Sequence, residues 1–218
     1  MSPRDDLDTA GASLSRRDFL VGSAGLWISV SLPRTRAAAA AAASDQPRTF
    51  SASEWRAVEA IGARIIPTDD LPGAREAGCV NFIDKALVGE DAEAAPAYHA
   101  ALAELDRICR GRFGGGFADL PGDRQDLLLA ELETAEIEDW RARDAAPDAF
   151  FATVRMHTIL GFVLDPRHGG NRDYAGWRVM GFPGPVHHLG GALPEHMTGE
   201  VRFVPIWERS KKAGEPHS

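Results

Sequence analysis

Apolar residues recur every three to four positions between residues 50 and 165, which predicts amphipathic helices rather than strands. The first helix has a clear start, because Ser51 and Glu54 have the spacing of a capping box, and a clear end at Pro67. Three further helices are predicted over about 74–88, 94–110 and 121–134, and a fifth begins at Pro147. Their apolar positions define the candidate core, which comprises Trp55, Val58, Ile61, Ile65, Ile66, Val80, Ile83, Ala86, Leu87, Tyr98, Ala101, Leu102, Leu105, Ile108, Cys109, Leu127, Leu128, Leu132, Phe150, Phe151, Val154, Thr158 and Val163.

The character of the chain changes after Pro166. Residues 167–191 are rich in glycine and proline, which predicts a long irregular segment of the kind that often has a functional role. Only the stretch from Val201 to Ile206 has the pattern of a short strand. We therefore predict a mainly α protein, with a compact domain of about five helices and a long irregular C-terminal segment.

Composition and charge narrow the classes of protein. The chain has 218 residues, 44% of them hydrophobic and 26% charged, which is ordinary for one globular domain. Its formal net charge of −8 disfavours nucleic acid as a partner, because phosphate binding needs a basic surface. No stretch reaches the roughly 18 consecutive apolar residues that a permanent membrane span requires.

The N-terminus has the features of an export signal. The residues that resemble the twin-arginine consensus are Arg16, Arg17, Phe19 and Leu20. A modest apolar run ending at Pro33 and an alanine run over 37–43 follow in the expected order. We therefore predict a signal peptide over 1–43, an exported domain over 44–218 and a periplasmic destination. An uncleaved anchor and an unrelated disordered tail are the alternatives.

The chain has two cysteines, Cys79 and Cys109, on different predicted helices. Because the expected destination is oxidising, they are candidates for a disulfide that would close a loop of about 30 residues. Two buried free thiols are the alternative, and the sequence does not decide between them.

No specific catalytic motif occurs in the sequence. It lacks a nucleophile elbow, a phosphate-binding loop and the fingerprint of a dinucleotide-binding fold. His187, His188 and His196, together with Glu195, are candidate ligands of a metal ion, although their spacing matches no usual signature. His157 lies on the fifth predicted helix and is interpreted as a hydrogen-bonded core residue.

Several segments, taken together, resemble a known family. They are residues 15–20, the helix end at 63–69, residues 72–78, the triplet Phe82-Ile83-Asp84, residues 157–162, the block 165–173, the pair Gly176-Trp177 and residues 181–184. In this order they resemble the small subunit (subunit 3, or gamma) of membrane-associated gluconate 2-dehydrogenases and related flavin-dependent sugar dehydrogenases. The resemblance covers most of residues 15–185 and is weakest between Gly89 and Pro147.

The resemblance implies a non-catalytic role. Such a subunit accompanies a large flavoprotein of the glucose–methanol–choline type, often with a multihaem cytochrome c. FAD and haem c then belong to the partner subunits, and this chain binds no cofactor. Its twin-arginine signal would engage the translocase and carry the folded partner with it, which implies a periplasmic complex that is membrane-associated through its partners.

The Gly-rich block after Asp165 is the predicted contact with this partner. Aromatic and arginine side chains are enriched at interface cores, so the candidates are Asn171, Trp177, Arg178 and Phe182. The alternative is that Trp177 and Phe182 cover this chain's own core. Two other functions stay open: a periplasmic enzyme with a metal at His187, His188 and His196, and a module that binds a small ligand.

Overall fold

The computed structural model describes residues 47–184. They form six α-helices and no strand within this range, which confirms the mainly α prediction. The helices are α1 (Ala52–Ile65), α2 (Cys79–Ala86), α3 (Ala95–Phe113), α4 (Gly122–Glu133), α5 (Pro147–Val163) and α6 (Ala175–Met180). Short 3₁₀ turns occur at Ala92–Ala94, Phe117–Asp119, Pro166–His168 and Arg172–Tyr174. Among the described residues, no helix has the length and apolar character needed to cross a membrane.

The start of α1 confirms the predicted capping box. The backbone N–H of Glu54 donates to the Ser51 hydroxyl at 3.3 Å, and the Glu54 carboxylate accepts the N–H of Ser51 at 2.7 Å. These bonds satisfy two of the amide groups that a helix start leaves without a partner. The helix ends before Pro67, which cannot continue it.

Helix α5 lies at the centre of the domain and packs against α1, α2, α3 and α4. Its start agrees with the predicted one, because Pro147 occupies the first helical turn. Phe150, Phe151, Val154 and Thr158 are buried as predicted, whereas Val163 is half-buried. One continuous core therefore surrounds the inner side of α5.

Two predictions about the earlier helices need correction. Helix α2 begins at Cys79 rather than near 74, because Gly78 adopts a left-handed conformation (φ 65°) that ends the preceding turns and caps the helix. Leu127 was expected in the core but is 48% exposed. Leu129 takes the inward position beside Leu128 and Leu132.

The segment predicted to be irregular is partly helical. Within the described residues it contains two 3₁₀ turns and the helix α6. The chain turns sharply over residues 171–174, where Asn171, Asp173 and Tyr174 all have positive φ. The predicted signal over 1–43 and the possible strand from Val201 to Ile206 lie outside the described residues.

Candidate functional site

The C-terminal end of α5 is covered by the segment that follows it. The last carbonyls of a helix have no partner within the helix, and here the chain supplies partners by turning back. The N–H of Asn171 donates to the carbonyl of Gly161 at 2.6 Å, and its side-chain amide donates to the carbonyl of Leu164 at 2.8 Å. The indole N–H of Trp177 donates to the carbonyl of Val163 at 2.6 Å. Asn171 and Trp177 thus act as a cap on α5.

Asn171 also holds the start of α6. Its side-chain oxygen accepts the N–H of Gly176 at 2.9 Å and that of Trp177 at 3.4 Å, so one fully buried side chain joins two helices. The close approach of this segment to the end of α5 requires glycine at two positions. A Cβ on Gly170 would lie 2.0 Å from the carbonyl oxygen of Gly161, and one on Gly176 would lie 1.8 Å from that of Phe162. The Gly-rich composition therefore serves close packing against α5.

The four predicted interface residues divide into two pairs. Asn171 and Trp177 are buried in this chain, because they cap α5, and the structure assigns their side chains to the interior instead of to an exposed contact surface. Arg178 is exposed, and Phe182 is 43% exposed, with its ring packed edge-on against Trp177 at 5.1 Å between centroids. An interface at Arg178 and Phe182 stays a prediction.

A buried carboxylate attaches the first described residues to the core. Asp84 accepts three backbone N–H groups, from Arg48 at 2.7 Å, Thr49 at 3.0 Å and Phe50 at 3.1 Å. Asp84 lies on α2, on the same side as Val80 and Leu87, and is almost fully buried. This role was not predicted from the sequence. The signal for it was an acidic residue, Asp84, among the apolar positions of a helix, because a buried charge needs a specific partner.

The same region contains a histidine between two polar groups. His99 contacts the Glu54 carboxylate through Nδ1 at 2.7 Å and the Thr49 hydroxyl through Nε2 at 3.1 Å. Burial raises the pKa of Glu54, but hydrogen bonds from His99 and Ser51 outweigh it and hold that pKa below its ordinary value. The capping box of α1 is therefore tied to the segment held by Asp84.

His157 is a hydrogen-bonded core residue, as predicted. Its Nδ1 lies 2.9 Å from the Tyr98 hydroxyl, and its Nε2 lies 3.5 Å from the Asp91 carboxylate. Burial lowers the pKa of His157, and the Asp91 charge only partly opposes this effect. Burial likewise raises the pKa of Tyr98 above its usual range. The pair is therefore neutral near pH 7 and joins α3 to α5.

An open groove of about 360 Å³ lies between α1, α3 and the turn at Phe117–Asp119. Polar and apolar groups both line it, and the apolar ones include Leu102 and Leu105 of α3. The charged groups on its rim pair with each other: Arg56 with Asp119, and Arg110 with Asp106. The first pair joins α1 to the turn at Phe117–Asp119, and the second lies along α3 at a spacing of four residues.

Both cysteines are buried free thiols in the structure. Burial raises the pKa of Cys79 above its usual range and that of Cys109 to about 12. Cys79 lies close to Gly161 of α5, where a Cβ at position 161 would come within 3.3 Å of the Cys79 Cβ. The structure thus corresponds to the free-thiol alternative, and the disulfide stays a prediction.

Residues 47–184 contain no group of three or more histidine, cysteine or acidic side chains arranged to hold a metal ion. The metal candidates His187, His188 and His196 lie outside the described residues.

Comparison with known proteins gives one match. The family model for gluconate 2-dehydrogenase subunit 3 matches residues 52–184, which is more than half of the 218-residue chain and coincides with the helices and turns described above. No curated protein and no solved structure gives a significant match. The resemblance in the sequence is thereby confirmed at the level of the family. This chain belongs to the gluconate 2-dehydrogenase subunit 3 family.

Proposed function

We propose that this chain is the non-catalytic small subunit of a periplasmic, membrane-associated dehydrogenase complex. Its partner is a large FAD-dependent flavoprotein of the glucose–methanol–choline type that oxidises a sugar or an alcohol, and a cytochrome c is a further candidate partner. FAD and haem c belong to those partners. The chain aids the twin-arginine export, folding and stability of the flavoprotein.

The family match carries this proposal. Membership of the family implies a small subunit of a multi-subunit dehydrogenase complex, and the match spans all six helices of the described domain.

The use of buried polar groups supports a structural role. Asp84 holds backbone N–H groups near the first helix, Asn171 caps α5, and His157 pairs with Tyr98. Gln125 donates to the carbonyl of Phe117 at 2.9 Å. Each of these side chains stabilises the fold of this chain through contacts within it.

The three backbone hydrogen bonds that Asp84 accepts support a link between folding and export. The twin-arginine pathway carries folded proteins, and the proposed signal precedes the segment held by Asp84. The three N–H groups meet this carboxylate only when α2 is formed, because Asp84 is 36 residues from Arg48 along the chain. The signal is thus joined to a segment whose position depends on the folded domain.

The test replaces Arg16 and Arg17 by lysine in cells that produce both this chain and the proposed flavoprotein partner. We expect both proteins and the dehydrogenase activity to move from the periplasmic to the cytoplasmic fraction. A matched control replaces Arg34 and Arg36 by lysine, which keeps the charge of the N-terminal region and leaves the twin-arginine pair intact.

Two outcomes contradict the proposal. If the flavoprotein reaches the periplasm normally in the Arg16→Lys, Arg17→Lys variant, this chain does not carry it. If the two proteins fail to co-purify from wild-type cells, the chain is not a subunit of that flavoprotein's complex.

A further inference from the structure

The N-terminal end of α2 has no cap from a side chain. Gly78 occupies the position before the helix with φ 65°, and no side chain within residues 47–184 accepts the first N–H groups. The first turn of α2 also contains no acidic residue, whereas α1 begins with Ser51 and Glu54. Because the start of a helix attracts negative charge, this end of α2 is a favourable position for an anion that the helix itself does not supply.

Asn81, in the first turn of α2, is a buried polar side chain without a hydrogen bond. It is 9% exposed, and its side-chain amide has no hydrogen-bond partner within residues 47–184. The amide atoms are not completely enclosed, so a ligand can reach them. Asn171, in contrast, uses both the donor and the acceptor of its amide. Since buried amide groups normally have partners, the amide of Asn81 indicates a ligand.

Arg172 brings a guanidinium group to the same place. Its backbone N–H donates to the carbonyl of Ala77 at 2.9 Å, which holds the residue next to the start of α2. A Cβ on Gly78 would lie 3.1 Å from Nδ2 of Asn81 and 3.2 Å from Nη2 of Arg172. The amide and the guanidinium group therefore converge beside Gly78. Arg172 is exposed, so its guanidinium group is accessible from solvent.

The surrounding charges also favour an anion. Lys85 lies one turn after Asn81 on α2, and its ammonium group donates to the neutral carbonyl of Arg167 at 2.7 Å. The acidic residues nearest to Asn81 in the sequence bind other groups. Asp84 accepts the three backbone N–H groups described above, and Glu76 accepts two hydrogen bonds from the loop that precedes it.

We propose that Arg172 and Asn81 form a binding site for one carboxylate at the start of α2. The guanidinium group and the side-chain amide each donate to a carboxylate oxygen, and the positive end of the helix dipole adds to the attraction. The carboxylate comes either from another molecule or from residues 185–218, which follow α6 and contain Glu195, Glu200, Glu208 and Glu215. The site does not depend on the proposed function.

The test uses NMR of the whole chain labelled with nitrogen-15 at asparagine, because Asn81 and Asn171 are its only asparagines. Asn81→Ser identifies which side-chain amide signals belong to Asn81. Sodium acetate is then titrated, with sodium chloride at the same ionic strength as the reference. We expect acetate to shift the Asn81 signals until they saturate. The Asn171 signals should not move, because that amide is already bonded within the chain.

Two arms distinguish the sources of the carboxylate. In the first arm, each of the four glutamates after residue 184 is replaced by glutamine in turn. If one replacement shifts the Asn81 signals, that glutamate is the ligand, and acetate should bind in its place in that variant. In the second arm, acetate is titrated into the wild-type chain. If acetate shifts the signals there and no glutamate replacement does, the carboxylate comes from another molecule.

The contribution of Arg172 is measured by Arg172→Gln, with Arg178→Gln as the matched control because both arginines are exposed. Both substitutions are made in the form of the chain that binds acetate. We expect Arg172→Gln to raise the apparent Kd for acetate about tenfold or more, because a charged donor is lost, and Arg178→Gln to leave it unchanged. Unchanged Asn171 signals show that each variant is folded.

Three outcomes overturn the proposal. The Asn81 signals could respond neither to acetate nor to any glutamate replacement, or chloride could shift them as much as acetate does. Arg172→Gln could also bind acetate as tightly as the parent chain. Each of these results leaves the proposed function unaffected, because none of them involves export or a flavoprotein.

Discussion

Asn171→Ala examines whether one buried side chain holds the C-terminal segment to the end of α5. The substitution removes the donor to the carbonyl of Leu164 and the acceptor for the N–H of Gly176. It also places alanine at φ 47°, where asparagine is better tolerated. We expect the domain to fold less stably and the cap on α5 to loosen.

The magnitude follows from the groups left without partners. An unsatisfied buried donor or acceptor costs about 1–3 kcal/mol. The N–H of Gly176 is buried and the carbonyl of Leu164 is partly buried, which gives a loss of roughly 2–4 kcal/mol from hydrogen bonding. The left-handed backbone adds about 1 kcal/mol for alanine. At about 2–4 °C per kcal/mol for a chain of this size, Tm should fall by roughly 10 °C.

Urea unfolding of the purified chain, followed by tryptophan fluorescence, measures the free energy directly. Asp173→Ala is the matched control, because Asp173 also has a positive φ (53°) and its side chain is exposed. Asp173→Ala therefore has the same cost of a left-handed backbone at alanine, but it removes none of the buried hydrogen bonds of Asn171. If Asn171→Ala destabilises the protein no more than Asp173→Ala does, the account of the α5 cap is refuted.

Three further outcomes are expected. Asp84→Asn should speed tryptic cleavage after Arg48 several-fold, because the amide group accepts fewer of the three N–H bonds, and N-terminal sequencing of the product would identify the bond cut. Burial lowers the pKa of His157 in the folded protein, so below about pH 6.5 the unfolded chain binds a proton more readily than the folded one. The free energy of unfolding should therefore decrease as the pH falls from about 6.5 to the folded pKa. In His157→Gln, Tm should depend less on pH over this range. With no reductant present, Cys79 and Cys109 should react with a thiol reagent in the unfolded protein but not in the folded one. If the unfolded protein does not react either, the two cysteines form a disulfide.

Local signals gave reliable predictions where they were complete. The start of α5 at Pro147 and the capping box of α1 depend on residues only a few positions apart, and both were predicted correctly. The errors arose where such signals were ambiguous. Three consecutive leucines at 127–129 fit two helical phases, and packing against α5 selected the one that exposes Leu127. Helix α6 has six residues, too few to show a helical period.

The roles of the site residues depended on distant contacts. The aromatic and arginine content of residues 171–182 indicated an interface, yet Asn171 and Trp177 are buried because the chain turns back onto the last carbonyls of α5. The residue types in a segment do not show whether its side chains cap a helix of the same chain or bind a partner.

By itself the sequence determined the helical class, most helix bounds, the resemblance to the family and the expected export signal. All of these are read from neighbouring residues, whose spacing of three and four positions or whose order along the chain is set without any knowledge of the fold. The tertiary structure decided that Asp84 holds residues 48–50, that Asn171 joins α5 to α6, and which face of α5 is left exposed. The reason is physical: a buried polar group is stable only where its partners meet it, and for Asp84 those partners are 34 to 36 residues away along the chain.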